Sequence, residues 1–189
     1  MNIFYLDENP QKAAEMLIDK HVVKMVLETA QLLSTAHRVL DGEHGYKMSA
    51  NNRRLQTWTM SDPEVDAKLY KATHFNHPCS IWARESLENY DWLYEYFEAL
   101  SKEYTKRFGK THLSWAKLGD ILAIPPQNAL LEPFTEPPQA MPAEYHVEGD
   151  SIEAYHKYYQ AEKLQLGTQK DFARYVELSG RVPEDKLPF

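Results

Sequence analysis

Apolar residues recur at intervals of three and four from near the start of the chain to about Leu40, the period of an α-helix. Asn9-Pro10 supplies a start, because the Asn side chain can cap and proline fits the first helical turn. Asp41-Gly42 supplies a stop. The pattern therefore predicts one helix over about 10–40. Residues 43–61 follow no clear period and read as a loop holding the basic pair Arg53-Arg54. Ser61-Asp62-Pro63-Glu64 opens a second helix to about Thr73. After Asn76-His77-Pro78 a third, long helix runs to about Phe108, where Gly109 ends it. Its core face comprises Ile81, Trp82, Tyr90, Leu93, Phe97, Leu100 and Tyr104.

A short helix is expected over 112–122. Prolines, among them Pro125-Pro126 and Pro137-Pro138, keep 125–147 extended. Asp150-Ser151-Ile152-Glu153 begins a helix through about Leu166, and a weaker helical stretch spans 169–178. Nothing alternates with period two for long enough to demand a sheet, and there is no internal repeat. The expected fold is all-α: one compact helical domain over 1–189 with a long Pro-rich extended segment.

Composition restricts the function classes. A chain of 189 residues suits one well-filled core, and a hydrophobic fraction of 43% with 12 Tyr, 7 Phe and 4 Trp argues against disorder. No apolar run approaches the roughly 18 residues of a membrane span, and the N-terminus lacks a signal pattern, so a cytoplasmic protein with no membrane partner is expected. The single Cys79 cannot form an internal disulfide. The 8 His lack a His-x-x-x-His pair or partner Cys spacing, so neither a metal nor a cofactor is expected. A net charge of −7 gives no general attraction to nucleic acid, and any contact with DNA must come from a local basic patch. Nothing in the sequence indicates an oligomeric state.

Between Ile18 and Leu40 the first helix is apolar almost all round, as a helix buried on several sides would be. Yet His21, Lys24, Glu28, Gln31, Thr35 and Arg38 recur at steps of three and four and so form one narrow stripe. Such a stripe is either a solvated face or the wall of a cleft. In a cleft, a carboxylate beside Lys or His can be held ionised or poised as a general base. A second group lies at Asn76-His77-Pro78 with Arg84 and Asn89; Asn-His-Pro also serves as a plain turn before a helix. A third is Tyr155-His156-Lys157-Tyr158-Tyr159. Its rings either stack on nucleobases while Lys157 meets phosphate, or simply pack, since Tyr155, Tyr158 and Tyr159 have the spacing of a buried helical face.

Together these three groups resemble the phage pyrimidine-dimer DNA glycosylase family known as endonuclease V. That family carries Asp-x-His with a Glu seven residues beyond the His, and Asp19-Lys20-His21 is followed by Glu28 at that spacing. Its aromatic Tyr-Lys-Tyr-Tyr run is similar to His156-Lys157-Tyr158-Tyr159. Between them, a His precedes a long helix ending in Lys-Arg-Gly-Phe; here His77 precedes one ending Lys106-Arg107-Phe108-Gly109. The order agrees over most of the chain, although the middle helix here is about one turn longer.

The resemblance implies a helical DNA repair enzyme in which the N-terminal amine attacks C1′ of the damaged nucleotide and forms a Schiff base. Glu28 would support glycosyl cleavage and strand scission, and Met1 (or Asn2, if processed) would bring the amine. His21 and Lys24 would tune Glu28. Arg38, Arg53, Arg54, Arg84 and Lys157 would meet phosphates. Two departures stand out: Asn2 replaces the small N-terminal Thr of the family, and this chain is acidic where the family is basic. They leave two further readings open. One is a phage transferase joining, for example, an amino acid to an activated thymine in DNA. The other is a non-catalytic helical protein binding a basic partner.

Overall fold

The expected first helix is divided in two. Helix α1 (Pro10–Glu15) begins where the Asn9 carboxamide accepts from the Lys12 N–H at 3.1 Å. Helix α2 (Asp19–Asp41) follows a break at residues 16–18. The computed structural model describes residues 2–182. A helix end leaves backbone groups that need partners. Arg107 donates to the carbonyls of Glu15 and Leu17 at 2.9 and 2.7 Å, and Arg174 also reaches Leu17, at 2.9 Å. The Ile18 N–H donates to Tyr159 Oη, and the Asp19 N–H to the Asp171 carboxylate, both at 3.0 Å. Every one of these partners lies far along the chain, so the periodicity of 10–40 carries no sign of the break.

Residues 43–61 are not a loop. Strands β1 (Glu43–Met48) and β2 (Arg54–Thr59) pair antiparallel, with His44 opposite Trp58 and Tyr46 opposite Gln56. Asn52 turns the chain at φ 53°, and the Ser49 N–H donates to the Arg53 carbonyl at 2.8 Å. Most positions on both faces are exposed, so the strands lack the in-and-out alternation of a half-buried sheet.

Helix α3 (Pro63–Lys68) is shorter than expected. The long third helix is two, α4 (Pro78–Trp82) and α5 (Leu87–Phe108). Ser86 caps α5 by accepting from the Asn89 N–H at 3.0 Å, and Gly109 ends it at φ 69°, a left-handed conformation that costs glycine little. Helix α6 (Leu113–Leu122) lies where the sequence predicts. The Asp150 carboxylate accepts from the Glu153 N–H at 2.8 Å to start α7 (Ser151–Tyr158). One π turn (Tyr159–Lys163) and a 3-10 turn (Leu164–Leu166) follow. Helix α8 (Gln169–Ser179) opens in a capping box between Thr168 and Asp171.

The protein is mostly helical, with α2 packed against α5 and α6, and α1 against α5. Val22, Val26 and Leu33 of α2 meet Leu93, Tyr96, Phe97 and Leu100 of α5 in a core shared with Leu118, Leu122, Tyr155 and Tyr159. The Pro-rich 125–147 stretch is extended apart from a turn at 127–128, closed by the Ala129 N–H donating to the Pro126 carbonyl at 3.2 Å, and a 3-10 turn at Ala143–Tyr145. It is tied down by Asn89, which donates to Thr135 Oγ1 at 3.1 Å and accepts from the Thr135 N–H at 2.9 Å. Among the described residues, no helix is long and apolar enough to cross a membrane.

Candidate active site

The first turns of α2 open onto a hollow of about 270 Å³ lined by Asn2, Phe4, His21, Lys24, Glu28, Ala140, Tyr158 and Lys163. Helical spacing puts His21, Lys24 and Glu28 on one side of α2. The Glu28 carboxylate is 14% exposed and pairs with the Lys24 ammonium at 3.1 Å, while Lys24 itself is 66% exposed. Across the hollow, the Lys163 ammonium stands 4.6 Å from the centroid of the Tyr158 ring. Two cations and one carboxylate therefore share this space, an excess of positive charge on a chain of net −7.

Asn2 is held at the rim. Asn2 donates to the Ala140 carbonyl at 2.9 Å, and its Oδ1 accepts from the Ile3 N–H at 2.7 Å. Phe4 has φ 53°, a strained backbone for a bulky residue. Its ring stacks on His21, centroids 4.8 Å apart and 14° from parallel.

His21 is fixed from behind. Its Nδ1 lies 2.8 Å from Tyr159 Oη, which also accepts the Ile18 N–H. Burial, then the Lys163 and Lys24 ammoniums, pushes the His21 pKa down to about 4. The ring is therefore neutral at pH 7. With the Tyr159 hydroxyl donating to Nδ1, the remaining proton sits on Nε2. Burial holds Tyr159 protonated well above its ordinary range. Burial also lowers the pKa of His77, and the Glu28 carboxylate pulls the other way.

A family model described as pyrimidine dimer DNA glycosylase matches residues 1–117. The chain belongs to the pyrimidine dimer DNA glycosylase family. No curated protein and no solved structure matches it significantly. The matched part of this DNA glycosylase contributes Asn2, Phe4, His21, Lys24 and Glu28; Ala140, Tyr158 and Lys163 complete the hollow from beyond it.

Not all the residues singled out in the sequence converge on this hollow. Met1, the expected amine, lies outside the described residues. Gln31 sits one turn beyond Glu28, half-buried. Arg38 corrects the expectation of a phosphate contact, because its side chain is fully buried. It donates to the carbonyls of Tyr70, Trp58, Asp66 and Leu69 and to the Asp66 carboxylate. Asn89 and Tyr155 are likewise buried; Asn89 holds Thr135, and the Tyr155 hydroxyl donates to the Pro138 carbonyl at 2.8 Å. Arg84 bonds the Ser80 carbonyl at 2.8 Å. His77 caps α4, its Nδ1 accepting from the Cys79 N–H at 3.2 Å, and Asn76 beside it is exposed. Arg53 and Arg54 are exposed on the β1–β2 hairpin, Arg54 3.5 Å from the Tyr46 ring centroid. Lys157 is exposed on α7, whereas Tyr158 lines the hollow and Tyr159 supports His21.

Phe4, Ala140 and Lys163 escape the sequence reading. Lys163 follows Tyr158 by five residues, a spacing that brings two side chains together over a π turn and not over an α-helix. Among the described residues, no three His, Cys, Asp or Glu side chains converge as metal ligands would.

Proposed function

We propose that this hollow is the active site of a DNA glycosylase with AP-lyase activity on pyrimidine-dimer DNA, with Glu28 as its catalytic carboxylate. The observation that carries the reading is the meeting of Asn2, Lys24 and Glu28 around one space. An α-amine titrates near 8, so at neutral pH a useful fraction is the neutral nucleophile. The amine of Met1, or of Asn2 after processing, attacks C1′; the glycosidic bond breaks and the pyrimidine leaves with its electron pair. Opening of the sugar ring then yields the Schiff base. Glu28 stabilises the developing sugar cation and takes the C2′ proton, after which the 3′ phosphate departs. Lys24 and Lys163 balance the charge of the phosphates on either side. The neutral His21, donating from Nε2, orients oxygen atoms without repelling the cation.

Trapping with borohydride tests this. Incubated with pyrimidine-dimer or abasic duplexes, the protein is expected to form a covalent adduct at the first residue of the chain, identified by peptide mass. Glu28→Gln is expected to lose it on pyrimidine-dimer DNA, and on abasic DNA to keep it without cleaving the strand. An adduct on Lys24 or Lys163 would move the nucleophile while leaving the hollow in use. The absence of both an adduct and a cleaved strand would overturn the lyase mechanism.

A further inference from the structure

A larger depression, about 540 Å³, lies between strand β2 and residues 71–75, lined by Trp58, Phe75, Lys47, Lys71 and His74 among others. Trp58 and Phe75 meet edge to face, centroids 4.9 Å apart, and both are half-buried. No carboxylate is among the lining residues. Among the ion pairs of the described residues, one involves a lining residue, that of Asp66 with the Lys71 ammonium at 3.3 Å. Asp66 is also paired at 2.6 Å with the buried Arg38, and the Met60 N–H and Arg38 hold its pKa down at about 2. The cationic side chains thus exceed this one acid. A positive groove with a fixed pair of rings is the arrangement that holds a nucleic-acid strand, bases on the rings and phosphates on the lysines.

Helix α2 pins both banks of the groove. Arg38 holds Trp58 through its carbonyl at 2.8 Å and Tyr70 through its carbonyl at 2.6 Å. Thr35 Oγ1 accepts from the Thr73 N–H at 3.2 Å. Thr35 lies seven residues beyond Glu28, on the same side of α2 and about 10 Å along it. That separation corresponds to about three base steps of duplex DNA.

We infer that the groove beneath the β1–β2 hairpin binds the DNA strand that flanks the damaged nucleotide, about three steps from it, with Trp58 and Phe75 against a base and Lys47 and Lys71 against phosphates. The inference rests on the proposed function for the identity of the polymer, though not for the chemistry at Glu28.

Photo-cross-linking tests it on the full chain. 5-Iododeoxyuridine is set at successive positions on each side of a non-cleavable abasic analogue in a duplex, and the attached peptides are identified by mass. The expected cross-link joins Trp58 or Phe75 to a nucleotide about three steps away, on one side only. In parallel, Trp58→Ala is expected to weaken DNA binding roughly ten- to a hundredfold. The variant K47A/K71A, which leaves the ring pair in place, should also bind more weakly and reduce the salt-dependence slope by about two. Cross-links only outside the hairpin and 71–75, together with unchanged binding by a folded K47A/K71A variant, overturn the groove. Damaged DNA cleaved normally alongside that result leaves the glycosylase reading standing. Weaker binding by the variants without any cleavage by the wild type does the reverse.

Discussion

Helix α2 carries charged side chains at its middle and near its C-terminus, and they meet opposite fates. Near the C-terminus, Arg38 is fully buried with all five N–H donors engaged by carbonyls and by Asp66. At the middle, Glu28 retains 14% exposure at the edge of a hollow and meets a single ammonium among the described residues. The periodic stripe treats the two alike. What separates them is saturation: a charge whose every bonding direction is filled holds the fold together, whereas one with capacity left over can act on a ligand.

Removing Arg38 should break the structural end most severely. Arg38→Met strands several carbonyls and is expected to cost about 3–5 kcal/mol in urea unfolding. Arg38→Lys should rescue little of it, because a single ammonium cannot span the same acceptors. An R38M protein as stable as the parent would erase the contrast. The matching change at the open position, Glu28→Gln, should lower strand cleavage about 10²- to 10⁴-fold. Its unfolding free energy should stay within about 0.5 kcal/mol of wild type. A loss of stability as large as the loss of rate would make Glu28 a structural residue after all.

Acid sharpens the contrast next. Burial pushes His21 and His37 down to about 4 from an ordinary 6.5. Between those values the unfolded chain binds protons that the native state refuses, so stability falls as pH drops from 6.5 towards 4 and is level above 6.5. The loss should amount to a few kcal/mol at most per histidine, read from urea curves at pH 7.5 and 5. His37→Gln should shrink it; an unchanged pH dependence would show that His37 titrates normally. Smaller still, Tyr159→Phe removes the acceptor of the Ile18 N–H and the partner of His21, for about 1–3 kcal/mol. Lys24→Ala, which breaks a pair whose ammonium is largely exposed, should change stability by no more than about 0.5 kcal/mol.

The candidate hollow was legible in part because three of its lining side chains share one helix. His21, Lys24 and Glu28 follow the helical period, and that period survives the misplaced start of α2. Asn9, Gly109 and Asp150 announced their helix ends through capping chemistry, which is local. Arg38 misled because an arginine in a helical stripe looks the same whether its donors face water or carbonyls. The hairpin was missed because its faces are both wet, although Asn51-Asn52 between residues such as Tyr46 and Trp58 is a turn signal. The interruption before α2 was invisible because Arg107, Tyr159, Asp171 and Arg174 supply its hydrogen bonds.

That interruption makes the origin of α2 depend on side chains translated long after it. Tyr159, Asp171 and Arg174 leave the ribosome well behind the helix whose origin they hold. A nascent polypeptide therefore contains α2 before it contains a finished hollow. A chain truncated before Thr168 should keep most of its helical circular dichroism and yet yield no borohydride adduct.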